Sequence, residues 1–190
     1  MRQSRFQIMS IVITGNPGVG KHTITAEIVK SLELDIIDIN KIAKDSGLLE
    51  KDENTNDVDT EKLGKILEKK ISEKNLVVGH LAPYILDKNQ VKIIIILRRN
   101  PYELISVYND RKYSDRKSRE NIGSEVLGVI AHDSMNKFQE KAFQVNVSEK
   151  NIQQVTKQIL DTISNNEGND DVDWLDLVTK NNDLKKFFVD

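Results

Sequence analysis

The sequence predicts an α/β fold in which a parallel sheet of five strands is flanked by helices. Short apolar segments alternate with segments whose apolar residues recur every three or four positions, which is typical of strands that alternate with helices. The segment Val91–Leu97 is almost entirely apolar, as expected for a strand that helices cover on both faces. The first strand runs directly into a glycine-rich turn and a helix, which is a frequent opening of such folds.

The first half of the chain is predicted to contain three strands and three helices. They are a strand at Ile8–Thr14, a helix at Lys21–Leu32, a strand at Ile36–Ile39, a short helix from Asn40 to Leu48, a helix that begins at Thr60, and a strand at Leu76–Val78. Asn40 and Thr60 are the expected N-caps, because their side-chain oxygens can accept bonds from free backbone N–H groups. The acidic segment Glu50–Asp59 is expected to form a surface loop.

The second half is predicted to contain two strands and three helices, followed by a tail. They are a strand at Val91–Leu97, a helix at Pro101–Asp110, a long helix from about Arg119 to Gln139, a strand at Phe143–Val147, and a helix at Asn151–Ile163. Proline suits the first turn of a helix, where no N–H is needed. The body therefore covers residues 1–164, and an acidic linker and an amphipathic helix from Asp173 to Phe188 form the tail, residues 165–190. This helix either packs on the body or docks on a partner or a second copy.

Composition limits the classes of protein that fit. A chain of 190 residues is long enough for one domain and a tail, and its net charge of −2 gives no general attraction to nucleic acid or membranes. Without cysteine it has no disulfide framework and no thiolate zinc site. No apolar run is long enough to span a membrane, and the first residues do not look like a signal peptide. The cytoplasm is the expected compartment.

The glycine-rich turn has the spacing of a phosphate-binding loop, G-x-x-x-x-G-K, in the segment Gly15–Lys21. Glycines allow the backbone N–H groups to surround a phosphate, and the helix N-terminus adds a positive partial charge. Lys21 then reaches the outer phosphates of a nucleoside triphosphate. The motif normally continues with Ser or Thr as a magnesium ligand, but here His22 follows the lysine and Thr23 comes one place later. One interpretation is a damaged loop. The other is that the sequence resembles adenylate kinases, in which the pattern is G-K-G-T and the hydroxyl also comes one place late, and this resemblance implies that Thr23 contacts Mg²⁺ bound with ATP.

Several polar residues follow predicted strands and should meet at one edge of the sheet. They are the loop residues, Asn40, His80 and Arg98. A short basic stretch, Arg111–Arg119, follows the helix after Arg98. Phosphoryl transfer needs cations that neutralise phosphate charge, and guanidinium groups bind phosphate oxygens in pairs. Lys21, Arg98 and Arg111 are therefore candidate catalytic residues, with Arg116 and Arg119 as further cations. His80, at a strand end, is a further candidate catalytic residue: it either orients a water or a phosphate, or only caps the strand.

These segments together resemble the adenylate kinase isoenzyme 6 type family, described as archaeal and nuclear phosphate-binding-loop NTPases that act in small-subunit ribosome assembly. The matching segments are Gly15–Lys21, Ile37–Ala43, Val58–Leu63, Val77–His80, Ile95–Arg98, and Arg111–Tyr113 followed by Arg119–Ile122. They occur in the order of the family, between about Ile11 and Ile163. The tail lies outside the resemblance.

The resemblance implies an adenylate-kinase-like fold with a monophosphate-binding region at about residues 38–62 and a short lid at about residues 110–120. It implies that the ATP phosphates contact the loop and the following helix, at Gly15, Gly18, Val19, Gly20, Lys21, His22 and Thr23. Arg111 would be the lid arginine that contacts nucleotide, and Lys150 would lie near the adenine base. The family also has an acidic residue two places before the histidine that corresponds to His80. Here that position is Val78, which puts the strength of ATP hydrolysis in doubt.

The sequence leaves three functions open. The first is a nucleoside monophosphate kinase that converts ATP and AMP to two ADP and also hydrolyses ATP. The second, an ATP-dependent switch, would act on a small-subunit ribosomal protein near the 3′ end of the rRNA, with RNA contacted through that complex. A basic partner of this kind would fit an acidic surface, at Glu50–Asp57 with Asp59 or at Asp170–Asp173. The third function is that of a small kinase for a metabolite.

Overall fold

The computed structural model describes residues 9–51 and 56–188, and all structural statements below concern these residues. They contain seven strands: β1 (Ser10–Thr14), β2 (Asp35–Asp38), β3 (Leu49–Lys51), β4 (Asn56–Val58), β5 (Asn75–Val78), β6 (Val91–Arg98) and β7 (Ala142–Asn146). Five of the strands form a parallel sheet in the order β2-β5-β1-β6-β7. The strands β3 and β4 form a separate antiparallel pair.

Ten helices surround the parallel sheet within the same residues. They are α1 (Lys21–Leu32), α2 (Ile39–Asp45), α3 (Thr60–Glu68), α4 (Ala82–Ile85), α5 (Pro101–Asp110), α6 (Asp115–Val126), α7 (Val129–Phe138), α8 (Ile152–Asn165), α9 (Trp174–Lys180) and α10 (Leu184–Phe188). None of the helices in the described part of the chain has the length and apolar character that crossing a membrane requires. The predicted fold class, a parallel five-stranded α/β sheet flanked by helices, is confirmed.

The core lies on both faces of the sheet, and β6 shows this most clearly. Ile93, Ile95 and Leu97 belong to the apolar cluster that includes residues of α1, α5 and α8. Ile94 and Ile96 belong to the cluster on the opposite face, which includes residues of α3 and α7. All five side chains are buried, and each contributes on the order of 2 kcal/mol of transfer free energy. The run of apolar residues in this strand is thus explained by helices on both faces.

Two helix starts differ from the predicted ones by one or two positions. Asp38 is the N-cap of α2, and its carboxylate accepts bonds from the backbone N–H groups of Asn40 and Lys41. Asp59 is the N-cap of α3 and accepts a bond from Lys62 N. The predictions of Asn40 and Thr60 as caps were wrong, because in each case a carboxylate just upstream is placed better to accept these bonds.

The long helix predicted from Arg119 to Gln139 is divided into α6 and α7. The division is at Gly128, which has a left-handed backbone with φ of 64°. A Cβ atom at this position would lie 3.3 Å from two nitrogens of the Arg98 guanidinium. Glycine therefore allows both the turn and the close approach of a buried arginine.

The segment predicted as a surface loop contains the β3–β4 pair, in which Leu49 is opposite Val58. Residues 52–55, which include part of the predicted acidic surface, lie outside the described residues, as do residues 1–8 and 189–190. The start of the first predicted strand at Ile8 therefore also lies outside them, and β1 begins at Ser10. The short helix α4 was not predicted.

The tail forms two short helices, α9 and α10, where the sequence predicted one. Both pack on the body: Val178 and Phe187 are buried, and Phe187 makes an edge-to-face contact with Tyr102 of α5. The Tyr102 hydroxyl also donates a hydrogen bond of 2.7 Å to Asp183, which follows α9. Of the two arrangements that the sequence left open, the structure has the one in which the tail packs on the body.

The turn after β5 gives a prediction about stability. A Cβ atom on Gly79 would lie 2.7 Å from Cβ of Ile39, which cannot move without shifting α2, so Gly79→Ala is expected to lower the free energy of unfolding by about 1–3 kcal/mol. Gly64→Ala is the control, because its Cβ would meet only Ile85 of α4, at ordinary distances of 3.5 Å and 3.7 Å, and alanine favours a helix. Urea denaturation of both variants is the measurement. Equal stability of the two variants would contradict the packing argument.

Candidate active site

The glycine-rich turn between β1 and α1 is a closed loop at the carboxyl edge of the sheet. Gly15, Gly18 and Gly20 all have positive φ, between 86° and 131°. A Cβ atom on Gly15 would lie 2.4 Å from the carbonyl oxygen of Leu97, and one on Gly18 would lie 2.8 Å from the Tyr108 ring. The loop therefore sits directly on the end of β6 and on α5, which other residues would not permit.

Lys21 begins α1 and points back into the loop. Its side chain is almost fully buried, and Nζ donates bonds of 2.9 Å and 2.8 Å to the carbonyl oxygens of Gly15 and Asn16. Burial lowers the pKa of Lys21 to about 8; Arg111 acts in the same direction, whereas Glu125 and Asp38 oppose it. The ammonium group is thus held at the centre of the loop, ready to exchange carbonyl partners for an anion.

His22 and Thr23 lie in the exposed first turn of α1. Nε2 of His22 is 2.9 Å from the carboxylate of Asp38, whose other oxygen caps α2. The imidazole thus connects the phosphate loop to the start of the region between β2 and β5. In the described residues, no three His, Cys, Asp or Glu side chains are grouped to hold a metal ion.

His80 follows β5, next to the loop. The preceding residue is fixed because the Thr14 hydroxyl donates a bond of 2.9 Å to the Gly79 carbonyl. Burial, with Lys21 and Lys117 as nearby positive charges, lowers the pKa of His80 to about 4, so the imidazole is neutral at pH 7. Val78, at the position where the resembling family has an acid, is fully buried in the apolar core.

The segment predicted as the lid is fixed to the loop by two tyrosines. The Tyr108 hydroxyl donates a hydrogen bond to the Pro17 carbonyl, and the Tyr108 and Tyr113 rings are stacked with centroids 5.2 Å apart. Nζ of Lys117 lies 4.4 Å from the centre of the Tyr113 ring. Arg111, between the two tyrosines, is exposed at the end of α5 and close enough to affect the pKa of Lys21. The positive charge of Arg111 therefore acts on the ammonium group that the loop holds.

Arg98 is placed differently from the sequence prediction. Its side chain is 4% exposed, and its guanidinium donates bonds to the Glu125 carboxylate, the Glu125 carbonyl and the Gln144 side chain. With these partners the guanidinium has a structural position inside the protein, and its role as a catalytic cation stays a prediction. The neighbouring Arg99 faces the loop instead, and its guanidinium reaches the Gly18 carbonyl at 3.5 Å.

The remaining predicted cations lie farther along the chain. Nζ of Lys150, in the exposed turn after β7, is 2.9 Å from Gln158 and 3.3 Å from Asp170. Arg116 and Arg119 lie on the exposed first half of α6, and Arg116 is 3.9 Å from the carboxylate of Glu120. Their roles at a nucleotide site stay predictions.

Sequence reasoning missed two polar side chains at the base of the loop. Glu125 is fully buried on α6, and the Asn16 side chain donates a bond of 2.7 Å to it. No sequence pattern separates Glu125 from the exposed acids of the same helix. Arg99 was also missed, because a strand directs successive side chains to opposite faces and the sequence does not say which of two adjacent arginines faces the loop.

The glycine loop, the lysine at the start of α1 and the parallel sheet define a phosphate-binding-loop protein with the fold of small kinases. Three solved structures share the fold. A gluconokinase from Sinorhizobium meliloti 1021 has a TM-score of 0.57, 14% identity, and coverage of 85% of this chain and 94% of that one. A shikimate kinase from Acinetobacter baumannii has a TM-score of 0.56 and 18% identity, with coverage of 84% of this chain and 95% of that one. A deoxyadenosine kinase from M. mycoides has a TM-score of 0.54 and 18% identity, with coverage of 83% of this chain and 100% of that one.

A family model described as an AAA domain, AAA_18, matches residues 11–128, and the chain belongs to this family. Among curated relatives, a protein of Saccharolobus solfataricus named "Putative adenylate kinase" is 31% identical over 170 residues, which are 88% of each chain. A protein of the same name from Methanococcus maripaludis is 34% identical over 161 residues, covering 80% of this chain and 87% of the relative.

The lowered pKa of Lys21 predicts the pH dependence of catalysis. The free protein loses the ammonium charge as the pH rises through about 8, so kcat/KM for a phosphorylated substrate is expected to fall above pH 8, by about tenfold per unit. Bound phosphate stabilises the charged form, so the corresponding fall in kcat lies at higher pH. Initial rates measured between pH 6 and 10 over a range of substrate concentrations give the pH dependence of both kcat/KM and kcat. A kcat/KM that stays constant up to pH 9.5 would contradict the assignment of Lys21 as the cation that binds the phosphate.

Proposed function

We propose that the protein is a nucleoside monophosphate kinase that transfers the terminal phosphoryl group of Mg-ATP to AMP. The observation that carries the proposal is the buried ammonium of Lys21 inside a glycine loop at a helix N-terminus. The relatives named "Putative adenylate kinase" support AMP as the acceptor. An oxygen of the AMP phosphate attacks the γ-phosphorus, the bond from phosphorus to the bridging oxygen breaks, and two ADP molecules result.

In this proposal the side chains neutralise charge and orient the phosphates, as is usual for phosphoryl transfer. Lys21 leaves its two carbonyl partners and binds the outer phosphates, while backbone N–H groups of residues 15–23, which include Val19, His22 and Thr23, surround them. Arg111 stabilises the charge that is shared between donor and acceptor. His80, which is neutral at pH 7, donates or accepts one hydrogen bond to a phosphate or a water.

Two further regions complete the proposed site. Residues 38–62, which contain α2, β3, β4 and the start of α3, lie between β2 and β5 in sequence and are the proposed AMP-binding region. Residues 110–120 are the proposed lid, and Lys150 is the proposed contact near the adenine. The exposed Thr23 hydroxyl, on the first turn of α1 where the phosphates would lie, suits a Mg²⁺ ion that enters with ATP. The ion would neutralise phosphate charge.

The resemblance to the isoenzyme 6 type family supports a second proposal, a cytoplasmic ATPase that acts as a switch in small-subunit ribosome biogenesis. In that case ATP would change the affinity for a basic ribosomal protein. Of the proposed acidic surfaces, residues 52–55 lie outside the described residues. Asp170 already accepts bonds from Asn146 N and the Gln158 side chain. The fold shared with shikimate kinase and gluconokinase keeps a metabolite kinase as the third candidate.

A coupled assay of Mg-ATP with and without AMP tests the proposal directly. ADP formation that requires AMP, with two ADP per AMP consumed, is the expected result. Lys21→Ala is expected to lower kcat/KM by at least about a hundredfold, because it removes a buried charge from the phosphate site. Lys30→Ala is the control, since Lys30 is exposed at the far end of the same helix. ADP formation without AMP would favour the ATPase, and phosphorylation only of shikimate or gluconate would exclude the nucleotide kinase.

The proposed role of Arg111 gives a separate prediction. Arg111→Ala is expected to lower kcat about tenfold to a hundredfold with little change in the free energy of unfolding, because the side chain is exposed and acts on charge in the transition state. Lys92→Ala removes the same net charge at the opposite end of the sheet and is expected to leave kcat unchanged. Steady-state kinetics with both substrates measures the difference. Equal kcat values for the two variants would refute the proposed role of Arg111 in phosphoryl transfer.

A further inference from the structure

The Glu125 carboxylate accepts four hydrogen bonds from three separate parts of the chain. One oxygen accepts from Arg98 Nε at 2.9 Å, from Arg99 N at 2.9 Å and from Trp174 Nε1 at 3.1 Å. The other oxygen accepts from the Asn16 side chain at 2.7 Å. The carboxylate is fully buried, so these donors replace water and determine where it lies.

The contact of Asn16 leads directly to the phosphate site. The carbonyl oxygen of Asn16 accepts one of the two bonds from Lys21 Nζ, and its side chain donates to Glu125. One loop residue therefore connects the buried carboxylate to the ammonium group that is proposed to bind phosphate. A shift of the carboxylate moves Asn16 and, with it, one of the partners of Lys21.

The contact of Trp174 leads to the tail. Residues 169–170 run along the outer edge of β7, where Asn169 accepts a bond from Gln144 N and Asp170 N donates to the Gln144 carbonyl. This arrangement covers the open edge of the sheet and brings Trp174, the first residue of α9, against α6. Trp174 is half-buried, and its indole N–H is directed at Glu125.

We propose that Glu125 is a positioning residue for the phosphate-binding loop and that the tail acts on this loop through the indole of Trp174. The inference rests on the proposed nucleotide site but not on the identity of the phosphate acceptor. The tail thereby contributes to nucleotide affinity, although none of the contacts described above joins it directly to the loop. Trp174 is the only tryptophan of the chain, so its fluorescence also reports on the occupancy of the loop.

Trp174→Phe tests the proposal, because phenylalanine keeps an aromatic ring and lacks the indole donor. We expect the dissociation constant for Mg-ATP to rise about fivefold, within the range of measured couplings between sites. The matched control is Tyr102→Phe, which removes the aromatic hydroxyl through which the body bonds to Asp183 and Asn181 of the tail. It should lower the free energy of unfolding in a similar way and leave the dissociation constant within twofold.

A double-mutant cycle with Asn16→Ala separates coupling through Glu125 from general loosening of the fold. In the Asn16→Ala background the direct hydrogen bond from the loop to Glu125 is absent, and only the longer contact of Arg99 with Gly18 remains, so Trp174→Phe should change the dissociation constant by less than twofold. Calorimetry with Mg-ATP gives all four values without any catalytic step. The same fivefold effect in both backgrounds, or no effect in the wild-type background, would overturn the proposal.

Fluorescence distinguishes the proposed role of Trp174 from a merely structural one, because the emission of a structural tryptophan would not respond to bound Mg-ATP. Saturation with Mg-ATP is expected to shift the Trp174 emission in the wild type and to leave it unchanged in Asn16→Ala. An unchanged emission in a wild-type protein that calorimetry shows to be saturated would overturn the proposal. Because both measurements use binding alone, failure of the AMP assay would refute the proposed kinase and leave this inference standing.

Discussion

The ion pair between Arg98 and Glu125 is the interaction on which the rest of the site depends. Both side chains have almost no solvent contact, and the cost of burying the two charges is offset by their mutual attraction and by further hydrogen bonds. Gln144 of β7, the Arg99 backbone and Asn16 of the loop supply these bonds. Loss of either charge would leave the other unpaired in the interior, at a cost of about 3–5 kcal/mol. The ends of β6 and β7, α6 and the loop are consequently held in one arrangement.

Close packing around glycine is the second constraint, and it explains why the loop is where it is. Gly15 rests on the backbone of Leu97, and Gly128 lets the guanidinium of Arg98 approach the turn between α6 and α7. Arg98 is therefore both the last residue of β6 and the side chain that packs against the turn between α6 and α7. A fold of this kind arranges its phosphate site through the backbone, and the side chains that carry charge are added to a geometry that already exists.

Much of this arrangement could be predicted from the sequence because it depends on local patterns. Apolar runs identified all five strands of the parallel sheet, and the spacing of Gly15, Gly20 and Lys21 identified the loop. Contacts between distant parts of the chain could not be predicted from the sequence. Gly128, for example, interrupts the helical pattern at the point where Arg98, which is 30 positions earlier in the chain, packs against the backbone. Likewise, Arg98 and Arg99 are adjacent basic residues, and only the packed structure shows which one is buried and which one faces the loop.

Tyr108, near the end of α5, contacts both the loop and the segment that follows α5. Its ring packs beneath Gly18, its hydroxyl bonds to Pro17, and its face carries the ring of Tyr113. Movement of the segment after α5 and distortion of the loop are therefore not independent motions. Loss of the Tyr113 ring from this stack would leave Tyr108 unsupported on one face, so a displacement of the segment after α5 would extend to the contact of Tyr108 with Gly18.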